Sequence, residues 1–224
     1  GLVVIGGIKR ISSVSQIVVP FMVIIYLLGS IIVLAVNVQQ IPHVFSMIFT
    51  NAFTGTAAVG GFAGAAFREV IQSGIARGVF SNESGLGSAP IAAAAAKTEW
   101  PARQGLVSMT GTFIDTIIVC NLTGFCILSS GSWLDEGVEG VLVTSHAFQS
   151  GFFFAPALGQ FLLMLCLIFF AFTTILGWNY YGERCMEYLF HKRTLPVKIY
   201  RWLYVLAVFA GPFLSVEFVW NIAD

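Results

Sequence analysis

Apolar residues along this chain come in runs, several of them about twenty residues long, separated by short polar clusters. A hydrocarbon core is ~30 Å thick and a helix rises ~1.5 Å per residue, so runs of this length predict bilayer-crossing helices. Four are plain: residues 15–37, 105–128, 155–182 and 200–220. The run 155–182 is longer than a bilayer needs and predicts a tilted span. The run 200–220 carries Tyr and Trp at its ends, in the manner of an interfacial aromatic belt.

The stretch from Ile41 to Lys97 holds either one span or two, and the basic residues choose between them. With a single span at 73–97, and 41–70 forming outer-surface or re-entrant short helices, nearly all Lys and Arg fall on one side. These are Lys9, Arg10, Lys97, Arg103, Arg184, Lys192, Arg193, Lys198 and Arg201. Arg68 is left opposite, Arg77 near the membrane edge, and the acidic loop "WLDEGVEG" (133–140) opposite the basic ones. A second span at 43–67 would carry Lys97 and Arg103 to the other side and erase the bias. The positive-inside rule therefore predicts five spans with the amino end cytoplasmic.

Composition agrees. The 224 residues are 57% hydrophobic and 10% charged, with a mean hydropathy of +0.87; soluble domains carry ~25% charged residues. The expected class is all-α, a polytopic membrane protein forming a single transmembrane domain, located in the cell membrane. Net charge is zero, so no nucleic-acid footprint is visible. The four cysteines show no CxxC spacing and read as small core hydrophobes. The histidines are isolated, without HExxH-type spacing, which argues against a metalloenzyme. The chain opens on "GLVVIGGIKR", already apolar, and reads as an internal piece of a longer membrane protein.

The 73–97 span contains "GVFSNESGLGSAP" (78–90), with polar residues and glycines at membrane depth. Lipid satisfies neither those side chains nor a broken backbone, so the segment is surrounded by protein or lines a cavity. A helix broken near 81–88 exposes carbonyls at one half's end and N–H groups at the other's start, which bind a cation and a carboxylate. The plainer reading is a surface loop, which the charge bias opposes. Glu83 is either ionised within the site or paired with Arg77, which is six residues earlier and off its helical face.

Asp115 falls near the midplane of its span, with Thr112 on its face. A carboxylate there marks an ion or proton site, or else a structural hydrogen bond to a neighbouring helix; Asn121 fits either reading. Thr173 and Thr174 offer two hard-oxygen ligands to a small cation, against the plainer reading of hydroxyls bonded back to their own helix. Trp178 stands one turn above Thr174, where it can wall off a small ligand.

The stretches "ARGVFSNESGLGSAPIAAAAAKTEWPARQGLV", "GTFIDTIIVC" and "TTILGWNYYGERCMEYLF" strongly resemble the alanine-or-glycine:cation symporter family, the sodium:alanine symporters, and the resemblance runs through nearly the whole chain. It implies a leucine-transporter-like fold of two inverted five-helix repeats, of which this chain supplies roughly core helices five to nine. By that resemblance Phe80, Ser81, Asn82, Glu83, Ser84 and Gly85 face substrate, together with Thr174 and Trp178. Thr173 and Thr174 match hydroxyls that hold sodium, and Asp115 or Asn121 lies near a second ion. The implied partners are alanine or glycine, sodium, the bilayer and the first-repeat helices, which lie outside this chain; no cofactor is implied beyond sodium as co-transported ion. The implied activity is sodium-coupled symport by alternating access, which this fragment alone is not expected to perform.

Two other classes compete. A cation channel would be lined by Glu83 and Asp115, and would pass current without substrate. An intramembrane hydrolase would use Ser81 or Ser84 as nucleophile, but no histidine lies in the core, and spacing does not set the distance from Asp115 to either serine.

Overall fold

The computed structural model describes residues 7–53, 71–72, 74–76, 78–79, 81–83, 85, 87–135, 137–138, 140–215 and 218–219. Among them every regular element is helical and no strand occurs. In chain order these are α1 (Gly7–Val36), a 3₁₀ turn (Val38–Gln40), α2 (Ile41–Phe53), α3 (Ser88–Ala93) and α4 (Pro101–Thr112). A π-helix (Phe113–Cys120) then runs on into α5 (Asn121–Ser130), followed by α6 (Val141–Gly151), α7 (Pro156–Leu189) and α8 (Thr194–Ala210).

Among the described residues three helices are long and apolar enough to cross a membrane: Ile11–Val36, Pro101–Ser130 and Pro156–Leu189. Their flanks are apolar and uncovered, as at Ile24, Leu28, Phe161 and Ile168. In a protein without aqueous surroundings such faces meet lipid. At ~1.5 Å per residue the 34 residues of α7 extend ~51 Å, well beyond a hydrocarbon core, so its charged end reaches the headgroup region.

Predicted and observed boundaries differ: α1 begins at Gly7 and α7 runs on to Leu189, beyond the expected 15 and 182. Where 73–97 was expected to be helical on both sides of its break, the described residues from 71 to 81 are helical but the far half is α3 alone, six residues ending at Ala93. Residues 94–100 then run without regular helix, and Trp100, directly before Pro101, is extended at φ −121° and ψ 117°. The expected span 200–220 begins early, at Thr194, and α8 closes at Ala210 where Gly211 and Pro212 tighten into a 3₁₀ turn.

The chain divides into two compact units, and α1 and α7 each pass through both. One unit comprises residues 23–166. Its core is Val33, Val44, Cys126, Phe148, Phe152 and Leu163, all essentially inaccessible. Small residues bring the backbones together there. A Cβ at Gly151 would lie 2.8 Å from the Val33 Cα, and one at Gly159 would lie 2.5 Å from the Phe148 carbonyl oxygen. Phe45 of α2 meets Phe125 of α5 with ring centroids 4.7 Å apart, and the Tyr26 hydroxyl pairs with that of Thr123. This unit holds the break.

The other unit comprises residues 1–22 and 167–224. Phe21 of α1 meets Phe169 of α7 edge to face. The Tyr204 hydroxyl of α8 donates 2.8 Å to the Ile175 carbonyl of α7, and Glu183 receives two hydrogen bonds from Arg201, at 2.8 and 2.5 Å. Glu183 itself is buried, so the ion pair ties α7 to α8 from the inside.

All four cysteines are free. Cys126 and Cys166 are buried as expected, whereas Cys120 and Cys185 are exposed. A thiol is apolar enough to sit on a helix's outer face without cost in lipid.

Candidate functional site: a broken segment docked on a π-helix

The break is a backbone event first. Glu83 has φ +51°, Gly85 +78° and Gly87 +77°. A left-handed residue ends a helix, and for a side chain larger than Gly it costs about 1–2 kcal/mol. Glu83 bears that strain in a segment otherwise relieved by glycines. Its carboxylate offsets it by reaching across the break, where the Ser88 hydroxyl of α3 donates to Oε2 at 2.7 Å. Ser88 is buried.

The segment is held to the continuous helical rod Pro101–Ser130 by two adjacent pairs. The Ser81 hydroxyl donates 2.8 Å to Asp115 Oδ2. Asn82 donates 2.9 Å to the Thr116 hydroxyl, which donates in turn to Asn82 Oδ1 at 3.0 Å. Asn82 also donates 3.0 Å to the Gly78 carbonyl, closing the end of the first half-helix. Hydrogen bonds to a charged group contribute about 1.5–3 kcal/mol each, neutral ones about 0.5–1.5. One charge-assisted bond at Ser81–Asp115 and two neutral ones at Asn82–Thr116 are thus comparable attachments.

Asp115 and Thr116 lie within the π-helix "FIDTIIVC". Bonding i to i+5 widens the turn and disturbs the carbonyl ladder where it rejoins an α-helix, and such segments concentrate at functional sites. Here Asn121, the first residue of α5, donates 3.1 Å to the Thr116 and Ile117 carbonyls. The three polar residues of this rod thus have distinct tasks. Asp115 and Thr116 face the break, and Asn121 supports the ladder that carries them.

Thr173, Thr174 and Trp178 belong to the other unit, on α7. The Thr173 hydroxyl donates to the Phe169 and Phe170 carbonyls of its own helix, at 3.0 Å each. Its proton is committed there, and its lone pairs point outward as acceptors. Thr174 is exposed, and Trp178 stacks edge-on with Tyr181 at 5.8 Å. Phe80, Ser84 and Arg77 lie outside the described residues.

Sequence reasoning passed over Thr116, took in Ser88 only as the far edge of the break at 81–88, and passed over Asn179. The first two are single hydroxyls that gain meaning only from their partners. Asn179 on α7 is fully buried, and among the described residues neither its amide oxygen nor its nitrogen has a hydrogen-bond partner. A buried amide without partners costs free energy. Its position one turn before Glu183 was the available signal.

Comparison with known proteins adds the rest. The profile of the sodium:alanine symporter family matches residues 1–224. The chain is 50% identical over its full length to an uncharacterized transporter of Haemophilus influenzae, covering 48% of that protein. It is 46% identical over 99% of its length to the sodium/alanine symporter AgcS of Methanococcus maripaludis, covering 48% of it. It is 34% identical, again over its whole length, to the probable sodium/glutamine symporter GlnT of Bacillus subtilis, covering 45%. The chain thus spans about half the length of these relatives. None of the solved structures matches it. With the family profile satisfied from first residue to last, the chain belongs to the sodium:alanine symporter family.

Proposed function

We propose that the protein containing this chain couples sodium entry to the uptake of a small neutral amino acid, alanine or glycine, by alternating access. The observation that carries the reading is the docking of the broken segment on the π-helix through Ser81–Asp115 and Asn82–Thr116. It gathers a carboxylate, two hydroxyls and an amide oxygen at a helix break in a chain of the sodium:alanine symporter family. These are hard oxygen donors of the kind that sodium takes. Membership of the family and the name of the archaeal relative support sodium and alanine as the transported pair.

In this reading Asp115 supplies the anionic charge for the cation, and Ser81 orients it. The left-handed residues Glu83, Gly85 and Gly87 keep the backbone from closing into helix where substrate enters. Thr173 and Thr174 contribute oxygens, and Trp178 limits the size of the amino acid. Coupling follows from mutual stabilisation: cation and substrate each bind more tightly when the other is present. Alternating access and the leucine-transporter-like arrangement remain part of this proposal.

The Ser81–Asp115 distance is also the geometry that a serine nucleophile would need. Membership of a transporter family favours ligand holding for the pair instead. A channel lined by Glu83 and Asp115 is the competing reading, and it would pass sodium current without amino acid.

The test is alanine uptake by the full-length protein in liposomes with and without a sodium gradient, comparing wild type with Thr174→Ala. Uptake should require the gradient and should weaken in the variant. Sodium current without amino acid, or uptake indifferent to sodium, contradicts the proposal.

A further inference from the structure

Beyond the transport site, the turn between α7 and α8 encloses a cavity of about 250 Å³ lined by Glu187, Lys192, Thr194, Val197, Lys198 and Arg201. Its charges do not cancel locally. Arg201 is engaged by Glu183 at 2.5 Å and Glu187 by Arg184 at 2.7 Å. Among the described residues no acidic partner is paired with Lys192 or Lys198. Two cations are thus left at one small, largely apolar cavity.

The backbone holds them there at a cost. His191 and Lys192 both have positive φ, +50° and +62°, and neither is glycine. Such residues persist where the surroundings over-determine them, and they cluster at ligand-holding sites. The Lys192 amide donates 2.8 Å to the Glu187 carbonyl, a helix-closing bond that turns the lysine back over the end of α7. Thr194 then opens α8, whose N-terminal residue Arg193 makes no side-chain cap.

Depth distinguishes the class of ligand. The 34 residues of α7 extend ~51 Å, ~20 Å more than a hydrocarbon core, so its charged end emerges from the core, and the exposed aromatic and apolar residues beside the following turn suit the interface. The surrounding surface is apolar and aromatic: Tyr188, Leu195 and Trp202 are 86%, 67% and 68% exposed. Aromatic residues of this kind settle at membrane interfaces. A dissolved anion has no use for such a rim, whereas acyl chains cover it.

We propose that this cavity binds a phosphate ester anion, presented by the headgroup of an anionic phospholipid. Lys192 and Lys198 pair with the phosphate oxygens, Thr194 donates its hydroxyl, and the rim meets the acyl chains. The site is separate from the transport pathway proposed above, and its test does not depend on transport.

Binding of phosphatidylglycerol to the full-length protein, read by native mass spectrometry and by titration with lipid-containing nanodiscs, tests it. Near a membrane each lysine contributes about fivefold in affinity, so Lys192→Gln with Lys198→Gln should weaken phosphatidylglycerol binding on the order of 25-fold. Lys97→Gln with Arg103→Gln, of equal charge loss elsewhere, should leave it unchanged, and phosphatidylcholine should bind weakly to all. Should the double variant lose its fold, each single variant should still show its fivefold loss. Unchanged binding in the lysine variants, or equal loss in the control pair, overturns the site. Displacement of the lipid by matching concentrations of glycerol 3-phosphate overturns the lipid as source.

Discussion

Ser81 and Asp115, 34 residues apart, meet at 2.8 Å, and the hydroxyl donates to the carboxylate. The contact joins the two places where helical geometry is abandoned: the break after Ser81 and the π-helix that carries Asp115. Removing the hydroxyl should leave the charge in place but poorly oriented. Ser81→Ala should raise the half-saturating sodium concentration about 10-fold or more, in line with a charge-assisted hydrogen bond, with little change in the substrate maximum rate. Sodium titration of uptake reads this, and an unchanged sodium requirement would remove Ser81 from the site.

Ser88 and Glu83 hold the break from its far side. Ser88→Ala leaves a strained residue without its hydroxyl partner, and should lower both thermal stability and uptake. Ser88→Thr keeps the hydroxyl and should recover most of each. If Ala and Thr behave alike, the hydrogen bond is not what maintains the break.

Gly151 packs against the Val33 backbone as well as its side chain. Gly151→Ala should therefore destabilise the protein by about 1–3 kcal/mol, as overpacking of a tight interior does. Trimming the opposing side chain with Val33→Ala should not restore it, because the nearest backbone atom remains. A full rescue in thermal unfolding would show that side chains alone set this approach.

The charged end of α7 should respond asymmetrically. Arg201→Ala leaves the buried Glu183 with only the 3.4 Å contact from Arg184 and should cost about 1–3 kcal/mol, as stranding a buried hydrogen-bonding group does. Adding Glu183→Gln should return part of that loss. Asn179 should behave in the opposite way, since an amide without partners is expensive to bury. Asn179→Leu should leave stability unchanged or raise it; a marked fall would mean that the rest of the protein supplies a partner.

The sequence made the long helices legible because bilayer thickness sets their length: α1, the Pro101–Ser130 rod and α7 all lie over runs read from hydropathy alone. Helix ends were harder, because local stereochemistry sets them. Pro101 opens its helix four residues before the apolar run suggested, and Gly211 and Pro212 close α8 sooner than that pattern did. The polar residues Ser81, Asn82, Glu83, Asp115 and Asn121 stood out by being costly in hydrocarbon. Their partners did not, since Thr116 and Ser88 are ordinary hydroxyls until the fold brings them within 3 Å of a donor or acceptor. The π-helix left no trace either, because a hydrophobic run carries no record of whether its carbonyls bond four residues on or five.

Asp115 is where the account is most exposed. In liposomes holding the full-length protein, an imposed inward sodium gradient should drive alanine above its equilibrium distribution, and the accumulation should collapse when the gradient is dissipated. Asp115→Asn, which keeps the shape and removes the charge, should abolish accumulation while the protein stays folded. Accumulation that survives in Asp115→Asn, with the wild-type sodium dependence, would contradict the assignment of Asp115 as the cation's counter-charge.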